Sequence, residues 1–186
     1  MFYYCRSVPY INLTGWITTK LTSTGLNYMF TSCFNVKRIY GIENFYINNC
    51  TSLYQTFNGC RCLTQLDLSN WNTSKVTSFE STFSNCYCLS DLSSIFNWNT
   101  SALKTLYGTF NNCYMIEKLD LHTWDVSKVT NIGALFYSCR SLKELNISGW
   151  VINSTSSFAA TFYGCWCLKH IDISGWHVTS ACTSIY

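Results

Sequence analysis

The sequence predicts an α/β solenoid, with parallel strands on one face and short helical or 3₁₀ returns behind them. Three observations carry this. A motif recurs in steps of 26 or 27 residues, from Leu66 to Leu92, Leu119, Leu145 and Ile171. Within each copy a period of two, as in Leu66-Asp67-Leu68, gives way to a period near that of a helix, as in Val76, Phe79 and Phe83. One register of Phe, Cys and Trp runs through all copies. A constant period of this size marks supersecondary units that cannot bury their apolar faces singly and therefore stack.

The register rests on Phe2, Phe30, Phe57, Phe83, Phe110, Phe136 and Phe162. Three residues after each comes a Cys: Cys5, Cys33, Cys60, Cys86, Cys113, Cys139 and Cys165. Three further on stands an aliphatic residue, from Val8 to Leu168. Leu-x-Leu follows; its alternation reads as a strand with one side buried. An aromatic comes next, in the column Trp16, Phe45, Trp71, Trp98, Trp124, Trp150 and Trp176. A polar loop such as Asn72 to Lys75 then leads into Val76, Phe79 and Phe83, one apolar face of a short helix or 3₁₀ return that Thr73 or Ser74 can cap. Tyr40-Gly41-Ile42 and Leu92-Ser93-Ser94-Ile95 depart from Leu-x-Leu, and two extra residues separate Trp16 from Phe30. The whole chain, 1–186, reads as one domain of about six repeats: a half repeat over 1–10, repeats from about 11, 40, 66, 92, 119 and 145, and a partial repeat over 171–186.

The stretch LDLSNWNTSKVTSFESTFSNCYCLSDL, residues 66–92, resembles the BspA-like (bacterial surface protein) class of leucine-rich repeats, and the likeness covers nearly the whole chain. It implies a curved solenoid with a role in adhesion or recognition at an extracellular, cell-surface or virion-surface location. It says little about the ligand, because the shared residues are the structural ones.

Charged residues make up 11% of the chain, against about 25% in an ordinary soluble domain. The net charge of +3 is scattered, with no basic block to suggest nucleic acid. No run approaches the ~18 apolar residues of a membrane span, and no secretory signal is visible at the first residues.

Twelve cysteines raise the question of metal or disulfides. The ladder cysteines sit on the apolar rhythm and read as buried, reduced packing residues. A linear column cannot offer zinc four converging ligands, so no metal or cofactor is expected. Serine at Cys113 or Cys139 would place a hydroxyl among apolar neighbours and is expected to be worse than alanine. Cys62, Cys88 and Cys167 lie off the ladder; Cys62 and Cys88 occupy matching positions of neighbouring repeats, where a disulfide is geometrically open. The Trp column reads as core, whereas Trp166, outside it, is the better candidate for an exposed aromatic. His122, His170 and His177 fall in different repeats, and no catalytic motif appears; the chain is read as a non-enzyme. Six N-x-[ST] triplets, at Asn12, Asn49, Asn72, Asn99, Asn146 and Asn153, follow largely from the repeat itself.

Residues between the strand leucines, and those flanking them, face outward. They supply the candidate binding face: Asp67, Asp91, Lys118, Asp120, His122, Glu144, Asn146, His170 and Asp172. Two readings of the face stand, a recognition surface or a solvated one of mixed sign. The function expected is non-catalytic binding of a protein or glycan partner. The alternative is a structural building block of a larger assembly. Phe2 to Ile11 and Ile171 to Tyr186 read as incomplete repeats, so the solenoid ends are expected to meet another copy or a neighbouring chain.

Overall fold

The structure is a computed structural model and describes residues 1–152, 157–174 and 176. The expectations for His177, Asn153 and the last residues to Tyr186 lie outside that set.

Among the described residues there are four strands, each three residues long: β1 (Tyr10–Asn12), β2 (Arg38–Tyr40), β3 (Lys118–Asp120) and β4 (Glu144–Asn146). β1 pairs with β2 and β3 with β4, both parallel, with Ile11 opposite Ile39 and Leu119 opposite Leu145. The central aliphatic of each turns inward and its two neighbours turn out, as the period of two requires. A bridge from Gln65 to Asp91 continues the face between the two pairs.

The two departures from Leu-x-Leu become 3₁₀ turns, at Ile42–Asn44 and Ser93–Ile95. Gly41 opens the first of these at φ +82, and a Cβ built there would lie 2.6 Å from both Leu13 C and Thr14 N. The backbone of the preceding rung occupies the place of a side chain, so only glycine fits.

The expected helical returns are not formed: no α-helix occurs among the described residues. In their place runs a second ladder of parallel bridges, Ser52 to Ser78 to Thr105 to Asn131 to Ser157. The N–H groups of Leu53, Gln55, Phe57 and Gly59 donate forward to the carbonyls of Ser78, Glu80, Thr82 and Ser84 in the next rung. Between them, the N–H groups of Thr56, Asn58 and Cys60 donate three residues back within their own rung. A helix would direct every donor within itself. Here alternate donors leave the rung because φ changes sign at two columns. Gln55, Ser81 and Ala134 lie two before the Phe, at φ 52, 53 and 53. Gly59, Asn85 and Ser138 lie two after it, at φ 73, 60 and 55. The apolar spacing of Val76, Phe79 and Phe83 is satisfied by this chain of tight turns, as it would be by a helix. The left-handed residues other than glycine cost about 1–2 kcal/mol each, offset by the inter-rung bonds that the reversal permits.

The core lies between the two ladders. The Phe column forms one continuous stack, with centroids 5.4–5.8 Å apart and rings within 12° of parallel. Trp71, Trp98 and Trp124 stack beside it at 6.2 Å. The core reading of the Trp column therefore holds from Trp71 to Trp150, while Trp16, in the first rung, is 40% exposed. Each buried indole donates to the rung below, as Trp98 Nε1 does to the Leu68 carbonyl at 3.2 Å. In the first rung Met1 and Ile17 are also exposed.

The cysteine ladder is buried from Cys33 to Cys139 and its members are free thiols, as are Cys62 and Cys88. It is more than apolar filling. The thiols of Cys60, Cys86, Cys113 and Cys139 each donate to the carbonyl of the Phe one rung back, at 3.1 Å. Burial pushes the thiols of Cys86, Cys113 and Cys139 far above their ordinary range, which keeps them neutral. The partner reverses the order expected for an orphaned hydroxyl. Cys113→Ser keeps a donor for the Phe83 carbonyl and should stay within about 1 kcal/mol of the native stability. Cys113→Ala loses the bond and leaves a small void, at a cost of roughly 1–2 kcal/mol. Chemical denaturation of both variants checks the order; an alanine variant more stable than serine would refute it.

Candidate functional site

β3 and β4 hold Lys118, Asp120, Glu144 and Asn146 outward by the alternation that buries Leu119. One rung earlier the repeat with the extra residue forms the 3₁₀ turn Ser93–Ile95 in place of a strand. These elements together line a groove of about 1050 Å³. Its polar walls include Asp91, Lys118, Asp120, Glu144, Asn146 and His170, and its apolar floor includes Leu92, Phe96, Met115 and Leu145.

Six of the nine expected face residues are thus brought into one depression. His122 stands at its edge: its Nδ1 lies 2.7 Å from Asp120 Oδ1 and 3.3 Å from the Asn146 amide nitrogen, and its ring packs 5.3 Å from Phe96. Asp67 is separate, beside Arg38, Tyr40 and Gln65 in a smaller hollow of about 320 Å³. Asp172 is exposed outside both.

Opposite charges meet across the rungs, with Lys118 Nζ 2.8 Å from Glu144 and Lys143 Nζ 2.8 Å from Glu117. The second pair draws the Glu117 carboxyl below its ordinary value through the lysine's hydrogen bond and charge. At Asp120 burial pushes the carboxyl up, and the bonds from His122 outweigh it, so the group lies below the carboxylate range. Glu117, Lys143, Phe96 and Met115 belong to the groove and were not among the expected site residues. The opposite signs of Glu117 and Lys143, 26 residues apart in sequence, were the available signal.

Several face residues also serve the chain itself. Asp67 Oδ1 accepts from the backbone N–H and hydroxyl of Ser69, and Asn146 does the same for Ser148. Asp172 accepts the Ser174 N–H, and Asp120 the His122 N–H. Asn72, Asn99 and Asp125 repeat this turn in the loop after the Trp column. The N-x-S spacing at Asn72, Asn99 and Asn146 is thereby a turn signature, in which an Asx side chain caps the N–H two residues on. Among the described residues no three of His, Cys, Asp and Glu converge to hold a metal ion.

The columns of stacked rungs agree with the comparisons. A family described as "Mycoplasma protein of unknown function, DUF285" matches residues 1–119 and again 51–176. The chain belongs to the DUF285 family. No curated protein matches it at a significant level. Among solved structures, this DUF285 chain is similar to a leucine-rich-repeat protein from Eubacterium ventriosum, with 18% identity over 97% of this chain and a TM-score of 0.57. It spans 44% of that protein's length. A Treponema pallidum leucine-rich-repeat protein matches at 18% identity over 90% of this chain and 68% of its own, with a TM-score of 0.48. A leucine-rich cell surface protein from Faecalibacterium prausnitzii matches at 15% identity over 77% of this chain and 34% of its own, with a TM-score of 0.38. The recognition of a leucine-rich-repeat fold, made from the Leu, Trp, Phe and Cys columns, is borne out. No helix among the described residues is long and apolar enough to cross a membrane.

Proposed function

We propose that this chain is a non-catalytic recognition module, one solenoid domain whose groove over β3 and β4 takes a protein or glycan partner at a cell or virion surface. One observation supports this above the rest: outward residues of four successive rungs, Asp91, Lys118, Glu144 and His170, meet in one concavity with an apolar floor. A face serving solubility alone has no need of a shared hollow. The ion pairs on it are exposed and contribute little to stability, so their arrangement is free to serve a partner.

The test is a triple substitution, Lys118→Glu, Asp120→Lys and Glu144→Lys, read on a glycan array and a panel of host surface proteins. Substituting the exposed Lys118 and Glu144 shifts stability by about 0.5 kcal/mol or less each, and losing the Asp120 bond to the His122 N–H costs about 1 kcal/mol, so the melting point should fall only slightly. Binding seen for the native chain should fall at least tenfold. Undiminished binding by the triple variant would place the site elsewhere.

A further inference from the structure

Four residues after each Phe of the core column, side chains that do not line the groove form a second and external stack. Its order along the solenoid is Arg6, Phe34, Arg61, Tyr87, Tyr114, Arg140 and Trp166. The Arg6 guanidinium lies 4.9 Å from the Phe34 centroid, and Arg61 covers the other side of that ring at 4.2 Å. Arg61 also lies 5.5 Å from Tyr87, which stacks on Tyr114 at 4.7 Å and 8°. Arg140 lies 4.4 Å from Tyr114 and 4.8 Å from Trp166, itself 74% exposed. The exposed aromatic that the sequence singles out is thus the last member of a ladder.

Three properties define what the ladder can bind. Its three arginines are exposed and make no ion pair among the described residues. The columns one, two, four and five residues after each Phe contain no Asp or Glu, so this strip carries positive charge only. Each cation is held over neighbouring rings, which leaves it little freedom to lose on binding, and its guanidinium carries a fork of N–H donors. Aromatic faces are used within the stack, so few remain for bases or sugar rings to stack on. Ring edges are electropositive as well. The backbone beneath is also occupied: the Cys62 N–H donates to the Phe34 carbonyl and the Cys88 N–H to that of Arg61, leaving no edge for a peptide strand to join.

We propose that this ladder is a binding surface for a sulfated polysaccharide lying along the solenoid axis. The arginines stand two and then three rungs apart, about 10 and 14 Å at ~4.8 Å per rung. Such unequal gaps suit a flexible chain that carries an anion every few ångströms. An acidic peptide would need carboxylates at two matched spacings and backbone partners that are already taken. The contact is made by charge and guanidinium forks, so it weakens with salt. It stands apart from the groove and does not depend on the function proposed for it.

Heparin immobilised on a sensor tests this with the full chain. R6Q/R61Q/R140Q should weaken binding at least tenfold. K20Q/K75Q/K104Q removes the same charge from exposed sites off the ladder and should change binding less than threefold. R6K/R61K/R140K keeps the charge but not the guanidinium fork, and should fall severalfold with an unchanged melting curve. Equal losses in the first two variants, or native binding by the lysine variant, would reduce the effect to net charge and overturn the proposal. Tighter arginine-dependent binding of polyglutamate or single-stranded DNA would overturn the choice of partner.

Discussion

Phe83→Ala is expected to destabilise the fold by about 3–5 kcal/mol, the range for truncating a buried Phe. Phe83 is fully buried at the middle of the stack, 5.7 Å from Phe57 and 5.8 Å from Phe110, and 6.3 Å from Trp98. Its removal opens a void between two rings, each of which keeps a stacked Phe neighbour only on its far side. The surrounding backbone cannot collapse into it, because Phe83 N donates to Thr109 and its carbonyl accepts from Cys86 N and the Cys113 thiol. Marginal natural stability is only about 5–15 kcal/mol, so the variant should melt far below the native chain. Phe83→Leu, which fills part of the space, should lose less. Denaturant titration of both decides it; an alanine variant within 1 kcal/mol of the native chain would show that the rungs are held by their ladders and not by the stack.

Gly41→Ala should cost about 3 kcal/mol, of which backbone conformation and steric contact each supply a part. At φ +82 an alanine is strained wherever it stands, and here its methyl would meet Leu13 C and Thr14 N at 2.6 Å. Those atoms are backbone, joined to this rung by the bond from Leu13 N to the Tyr40 carbonyl at 2.8 Å, so relief means separating the first two rungs. Gly15, also at positive φ but with nothing within 4 Å of its Cβ position, is the control. Gly15→Ala should carry the conformational cost without the clash. Equal melting points for the two variants would remove the steric part of the account.

What the sequence revealed follows from what side-chain spacing reports. The Phe, Cys and Trp columns, the inward leucines and the outward face residues were all legible, because burial depends on direction and direction repeats every rung. The return from Val76 to Phe83 was misread because its apolar spacing states which residues point inward and is silent on where N–H groups go. Asn85 and Asn112 in one positive-φ column, with Gly59 and Gly164, were the clue in residue type. The 3₁₀ turns coincided with the two irregular repeats, yet nothing in Leu92-Ser93-Ser94-Ile95 says that Asp91, Lys118 and His170 line one groove there. The thiol donors were hidden for another reason: a cysteine in an apolar column looks the same whether or not a carbonyl of the preceding rung lies within reach.

The forward-pointing donors of the return ladder give that ladder an electrical direction. In each rung the peptide units before Gln55, Phe57 and Gly59, and their counterparts, turn their N–H groups toward higher-numbered rungs and their carbonyls toward lower ones. Each unit has a dipole of about 3.5 D, and units aligned head to tail sum as they do in an α-helix. The return ladder is therefore polarised along the axis without containing a helix, its positive end toward the high-numbered rungs, while N–H groups elsewhere in each rung, such as those of Thr77, Cys88 and Ser90, donate to lower rungs and oppose it. Each rung added in register lengthens both columns, so the solenoid carries two antiparallel lines of dipoles side by side.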